Sequence, residues 1–334
     1  MTITPQWLSD FETSLNVLIS SQSERIVRNL IWDKVADQKE SKARRELYFF
    51  LLESMKLTAE NLGGNKRFDE MVAKSLEIEN KEFGAGLVLT RNEIEDNQMK
   101  DPAGMPPLDY AAAWARKMAA NAARFPQDAL FDLLATGETA TGYDGVAFFS
   151  ASHPTFDAAG TTFQNLLTGG ASGSFPGACP IDAGGAATLD IAATNFGKAV
   201  AFVEGLTGAD GKTRNLKVKY AMAGVGLRKR LLELLDTKYL TTTGIENVIS
   251  RYGIEPIIAS EITAASTYYY LICEFEPGEG GPLIYQRRRE FELRPFSYTD
   301  DAALSRARQL EWHFDGRNAM AFGHPWMIFK VKAS

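Results

Sequence analysis

The stretch from Leu108 to Ala122 restricts the fold of this chain more than any other. Its apolar residues fall at Leu108, Ala111, Ala112, Ala115, Met118, Ala119 and Ala122, with Arg116, Lys117 and Asn121 off the stripe. That is the spacing of one helical face, so a long amphipathic helix is expected. Because the stripe is mostly alanine, a partner element can approach the helix backbone closely, and alanine also has the highest helix propensity. The segment suits a packed strut. Pro126 pushes Phe125 out of the helical region and fits the first position of a new helix. That second helix runs through Ala129, Leu130, Leu133 and Leu134 to a stop at Gly137, so two helices meeting at a bend are expected. A Gly/Thr loop then leads to Tyr143-Asp144-Gly145, the apolar run Val146 to Phe149, and Ser152-His153-Pro154. Asp-Gly ahead of a short apolar run predicts a turn into a strand.

With 334 residues, 45% of them hydrophobic and 23% charged, the chain can bury a substantial core and has the composition of a soluble globular protein. No apolar run reaches the length of a membrane span, and the start MTITPQWLSDFETS lacks the basic beginning and apolar core of a signal peptide. A protein made and kept in a cytosol, with no membrane partner, is the expectation. Cys179 and Cys273 form no CxxC or Cys/His cluster, which argues against a disulfide framework or a zinc site. The net charge of -6 opposes a general affinity for nucleic acid.

Residues 5–35 read as one or two helices, with a start at Thr4-Pro5 and a stripe of Trp7, Leu8, Phe11, Leu15, Leu18 and Ile19, continued by Ile26, Val27, Leu30 and Ile31. A terminal helix docked on its own core would cover that face. The charge run at residues 33–46 reads as a solvated face or linker. It is followed by Leu47 to Leu52, a turn signal at Leu62-Gly63-Gly64-Asn65, and Arg67 to Leu76. Exposed Tyr48, Phe49 and Phe50 would be a liability in a monomer and would be buried in an assembly. Leu76 to Arg91, with a turn candidate at Asn80-Lys81, reads as a hairpin. The Gly/Ala/Ser/Thr-rich residues 155–188 read as a long loop or a domain boundary. Helices at Leu189–Gly205 and Leu227–Leu240 and strands at Asn215–Met222, Ile254–Ile258 and Tyr268–Phe275 make an α/β lobe over about 187–275. Leu283–Leu293, Ala307–Phe314 and Trp326–Val331 read as further strands.

Candidate chemistry is thin. Gly211-Lys212-Thr213 ends like a phosphate loop, yet five residues separate Gly205 from Gly211 where the pattern needs four, and no apolar strand precedes it. There is no G-x-S-x-G elbow, and only His153, His313 and His324 could serve a triad. On a regular strand, Arg287 and Arg289 would share one face and Arg288 the other, so no single basic patch forms. Ion pairs between subunits and contact with DNA are equally open for them. No catalytic, cofactor-binding or metal-binding residue is assigned.

The order of a long helix, Pro126-Gln127-Asp128, Tyr143-Asp144-Gly145, Phe148-Phe149-Ser150 and His153-Pro154 resembles the major head (capsid) subunits of Mu-like tailed phages. The resemblance extends to the element Arg91, Ile94, Glu95, Asp96, whose carboxylates fit a capped turn. It implies the α+β HK97-type capsid fold. Residues 1–41 would be an N-terminal arm reaching to neighbouring subunits, and 42–76 an extended loop overlapping an adjacent one. Residues 77–186 and 276–334 would be a peripheral domain with its spine helix at 108–124, and 187–275 an axial domain. The implied function is the major capsid protein of a tailed phage or prophage. It would assemble through pentamers and hexamers into an icosahedral shell around double-stranded DNA, without sequence-specific binding. It would be built in the bacterial cytoplasm with a separate scaffold, a portal and other head proteins, and would end in the virion. Trp7, Trp32, Tyr48 and Phe49 are the candidate assembly anchors. The rival readings are an encapsulin-like nanocompartment shell and a nucleotide-binding enzyme using the turn at 211–213.

Overall fold

The alanine stripe is buried where its spacing places it. In the computed structural model, helix α1 (Pro5–Val27) lies along helix α2 (Asp109–Thr136). Ala111, Ala115 and Ala119 have no exposed surface. Their small side chains let Phe11 and Leu15 of α1 close onto Leu87, Leu89, Leu310 and Trp312 beneath, with the Phe11 and Trp312 rings 5.1 Å apart. The first helix is therefore covered at Phe11 and Leu15 by the chain's own core. The structure describes residues 5–27, 30–51, 73–90, 92–93, 109–155, 160–168, 179–182, 186, 188–209, 211–239, 246–278, 280–295 and 309–332.

Two sheets share α2. The first has the order β1 (Ala36–Glu40), β11 (Leu283–Pro295), β12 (Gln309–Phe322), β4 (Lys81–Thr90), with β1 parallel to β11 and the other pairs antiparallel. It carries the alanine half of the helix. The second has the order β7 (Leu166–Leu167), β13 (Ile328–Val331), β10 (Tyr269–Cys273), β8 (Val218–Gly224), β9 (Glu255–Ala259). One face of it holds α3 (Leu189–Glu204) and α4 (Arg228–Asp236), through Phe196, Val200, Val203, Leu231 and Leu234. The other face receives the C-terminal end of α2, where Leu130 and Leu134 join Met222, Tyr270, Ile272 and Ile328.

Several expectations are corrected. The two helices expected to meet at a bend are one helix with Pro126 inside it. Proline leaves the Ala122 carbonyl without its helical partner, but the helix is clamped on both sides of that point, and Phe125 sits between the rings of Phe83 and Phe291. The charge run at 33–46 is no simple linker: it contains β1, with Val35 and Ala36 buried and the buried Asp37 accepting from the Gly278 N–H at 2.9 Å. Strand pairing makes the burial affordable. The hairpin expected over 76–91 is absent, because β3 (Ala73–Glu79) pairs with β2 (Arg45–Leu51) while β4 pairs with β12. Val146 to Phe149 forms no strand: the turn before it, with the Gly145 N–H on the Gly142 carbonyl, is closed by a Thr141–Ala147 bridge, and Phe148 and Phe149 beyond it are buried in the core. Residues 155–188 carry β6 (Thr162–Phe163) and β7, and bury Cys179 and Ile181. Trp326–Val331 supplies β13, which lies inside the second sheet between β7 and β10, so that sheet draws two strands from outside 187–275. The turn signal at 62–65 and the element at Arg91 and 94–96 lie outside the described residues.

The stripe has a direct test. Ala115→Leu forces a larger side chain between α1, α2 and the sheet and should cost about 1–3 kcal/mol in urea unfolding. Ala113→Leu, on the exposed side of the same helix, should leave the midpoint unchanged.

Candidate assembly surfaces

The β2–β3 hairpin is the described element with two unlike faces. Its register sets Tyr48 opposite Leu76 and Glu46 opposite Ile78, with Leu47 opposite Glu77 and Phe49 opposite Ser75 on the alternate side. Tyr48, Leu76 and Ile78 pack down on Ile284 of the first sheet. The Tyr48 hydroxyl donates to Gln286 Oε1 at 2.9 Å, and burial pushes its pKa up to about 12. On the other face Leu47 is 51% and Phe49 67% exposed, flanked by ion pairs from Arg45 to Glu77 and Glu79 at 3.2 and 3.3 Å.

The base of this hairpin is held by polar groups. Glu46 accepts from the N–H groups of Ala43 and Lys42 and from Ser41 Oγ, at 2.9, 2.8 and 3.1 Å. Those bonds hold its carboxyl below the ordinary carboxylate range. Asn80, 3% exposed, donates to Ser41 Oγ and to the Ala43 carbonyl at 2.8 and 2.9 Å. It marks the place where the chain leaves the hairpin for β4.

The four candidate anchors separate. Phe49 stands in solvent and Tyr48 is half-buried beneath it. Trp32 is half-buried against Tyr285, ring centroids 5.1 Å apart, within the chain's own core. Trp7 belongs to α1, and its side chain lies outside the described residues. Leu47 was not singled out from the sequence, although its alternation with Tyr48 on a strand would have placed it beside Phe49.

Residues that resembled chemistry are spent on structure. Fully buried His153 has Nδ1 2.6 Å from Asp144 Oδ2 and Nε2 3.0 Å from both the Phe148 carbonyl and Asn165 Oδ1. Asn165 donates to the Phe148 and Pro325 carbonyls at 2.7 and 3.0 Å. This ties the segment after α2 to the segment before β13. His324 stacks on Trp326, and burial, with Arg214 and Lys39 nearby, lowers its pKa to about 4. His313 lines a shallow trough of about 380 Å³ with Glu82, Gly84, Ala85, Gly86 and Asp315, and Arg289 pairs with both of its carboxylates. The turn at 211–213 uses the Gly208 N–H on the Lys212 carbonyl and the Gly211 N–H on the Gly208 carbonyl, so these donors do not converge on a phosphate. A register shift between Arg287 and Arg289 breaks regular alternation there. Arg287 pairs with Glu40 and Glu290, so both of these arginines have partners within the chain.

The sequence profile of the Mu-like prophage major head subunit gpT matches residues 14–175. The span includes the hairpin and α2. Among solved structures, the capsid of the cyanophage P-SCSP1u is 9% identical with a TM-score of 0.55, over 91% of this chain and 88% of that one. The mature capsid of bacteriophage PhiM1 is 10% identical with a TM-score of 0.53, over 92% and 87%. A virus-like particle from Pyrococcus furiosus is 6% identical with a TM-score of 0.50, over 96% and 99%. At these identities the likeness is one of fold. No curated protein matches the chain.

The hairpin base gives two tests. Asn80→Ala leaves the Ala43 carbonyl without that donor and should weaken the base by about 1–3 kcal/mol, read as faster proteolysis within 45–79 with the α2 region intact. Glu46, its pKa depressed, supports the turn fully above its unfolded value and loses that hold as pH falls through the folded one. The amide shifts of Lys42 and Ala43 should therefore titrate together, with a midpoint below that of an exposed glutamate.

Proposed function

We propose that the chain is a major head subunit of the Mu-like family whose profile it matches over residues 14–175, a capsid protein of the tailed-phage class, and that its hairpin supplies the contact by which copies grip one another in the shell. The observation that carries this is the hairpin's outer face. Two large apolar side chains, Leu47 and Phe49, stand exposed on an element that the chain anchors at its base. A monomer gains nothing from that arrangement, whereas a neighbour's surface would cover it. Each such contact is weak, and repetition around a closed surface adds them up.

The finer reading follows from the family. Copies form pentamers and hexamers of an icosahedral shell in the bacterial cytoplasm, with a separate scaffold, a portal and other head proteins. The shell encloses double-stranded DNA without reading its sequence. Residues 1–41 act as the arm, 42–76 as the extended loop, 77–186 with 276–334 as the peripheral domain, and 187–275 as the core of the axial domain, completed by β7 and β13. Trp7 and Tyr48 remain proposed anchors beside Phe49. Trp32 is proposed as a contact only through whatever edge it shows beyond its packing on Tyr285.

The fold likeness alone does not separate a phage head from the virus-like particle, and the family match favours the phage. The nucleotide-binding reading loses its support in the geometry of the 211–213 turn.

Expression of the full chain, with electron microscopy and sedimentation, tests the assignment. Shells, tubes or rings are expected from the wild type. Phe49→Asp should give a folded subunit, unchanged in thermal unfolding, that no longer sediments as assemblies. Normal shells from this variant would remove Phe49 as an anchor. Trp32→Asp is the poorer probe, since it strikes the subunit's own core.

A further inference from the structure

The turn that ends α2 meets β13 through charges. Strand alternation puts Ile328 and Lys330 on the face that receives the helix, where Ile328 packs with Leu130 and Leu134. Lys330 is 5% exposed, with its Nζ 4.3, 5.6 and 5.7 Å from the rings of Tyr268, Tyr270 and Phe149. Glu138, two residues beyond the helix, closes this box. One carboxylate oxygen lies 2.8 Å from Lys330 Nζ and the other 2.6 Å from Lys332 Nζ.

An apolar side chain at 330 would fill the aromatic box without taking an ammonium out of water, so stability alone does not account for lysine there. What the pair adds is direction. Leucines on an apolar sheet tolerate sliding, because hydrophobic contact is non-directional, whereas one carboxylate held between two ammoniums accepts a single placement. Burial raises the Glu138 pKa, but the two lysines together lower it by more, leaving it below the ordinary range. Tyr268 and Tyr270 are the titratable groups whose rings face Lys330.

We propose that Glu138, Lys330 and Lys332 form an orientation lock that fixes the angle of α2 on the five-stranded sheet, and with it the curvature at which subunits pack. The link to curvature rests on the shell reading above; the lock itself is a property of one subunit. Because α2 is bound to the first sheet along its alanine half, a change of tilt at Glu138 would swing one sheet against the other. In a closed shell that error repeats in every copy.

The test compares wild type, Glu138→Gln, and the double variant Glu138→Leu/Lys330→Met, all full length. The double variant keeps the box filled, so its thermal unfolding should match or exceed that of wild type. Spin labels at Lys117 on α2 and Lys229 on α4, both exposed, report the angle in the dissociated subunit. A narrow distance distribution in wild type and a broader one in both variants is expected, and equal widths overturn the lock. In assembly, wild type should give one shell diameter and the variants several diameters or open sheets. Variant shells indistinguishable from wild type would overturn the curvature claim. No assembly from any protein, alone or co-expressed with a scaffold protein, would defeat the shell reading while the label distances still decide the lock.

Discussion

Everything in this structure depends on one helix being packed on two sheets at once. At 28 residues and 1.5 Å per residue, α2 is about 42 Å long, longer than either sheet needs for a single packing partner. Its composition changes along its length to suit this. Alanines line the first part, where α1 and the four-stranded sheet press close, and leucines line the last part, where the five-stranded sheet leaves room for larger side chains. Pro126 lies between these regions, at the point where the helix passes from one sheet to the other. A missing backbone hydrogen bond is tolerable there because neither packing surface depends on that turn alone.

The two-sheet arrangement also explains the chain order. β13 comes from the C-terminus but sits beside β10 in the second sheet, and β1 comes from the N-terminus but sits beside β11 in the first. Each sheet therefore takes strands from distant parts of the sequence, and the segment at 323–327 crosses from β12 in the first to β13 in the second. Irregular crossings are where ladder hydrogen bonds are lost. Several buried polar side chains satisfy irregular backbone: His153 and Asn165 in the segments after α2, Asn80 at the exit from the hairpin, Asn247 at the end of α4, and Gln127 where it accepts from the Ile31 N–H at 3.0 Å.

Much of this was legible in the sequence where the pattern is local. The alanine stripe, the helices near 189–204 and 228–236, the strands at 218–224 and 283–295, and the decoy status of the 211–213 turn follow from periodicity and spacing. The misses share a cause. Asn80-Lys81 has the composition of a hairpin turn, yet β3 and β4 pair elsewhere because Asn80 is drawn inward to Ser41 and Ala43, residues remote in sequence. The charge run hides β1 because Asp37 is satisfied by the distant Gly278 N–H. Pro126 reads as a break, and only contacts with both sheets keep the helix whole. For the candidate surface, the aromatic run at 48–50 drew attention to the segment, but alternation and register were needed to tell Tyr48, which faces the sheet, from Phe49, which faces out.

That same distinction bears on how the proposed contact would hold a shell together without indiscriminate association. An apolar patch displayed on the body of a subunit would promote indiscriminate association. Here the exposed pair sits on a hairpin whose base is tied by Glu46 and Asn80 and whose flanks carry Arg45, Glu77 and Glu79. The charges limit the apolar area and require a partner with matching polar groups, so a mismatched approach leaves ions desolvated and unpaired. In the proposed contact, specificity would come from where the charges are placed around small apolar side chains, the same physical device as the lock proposed for Lys330 and Glu138 inside the subunit.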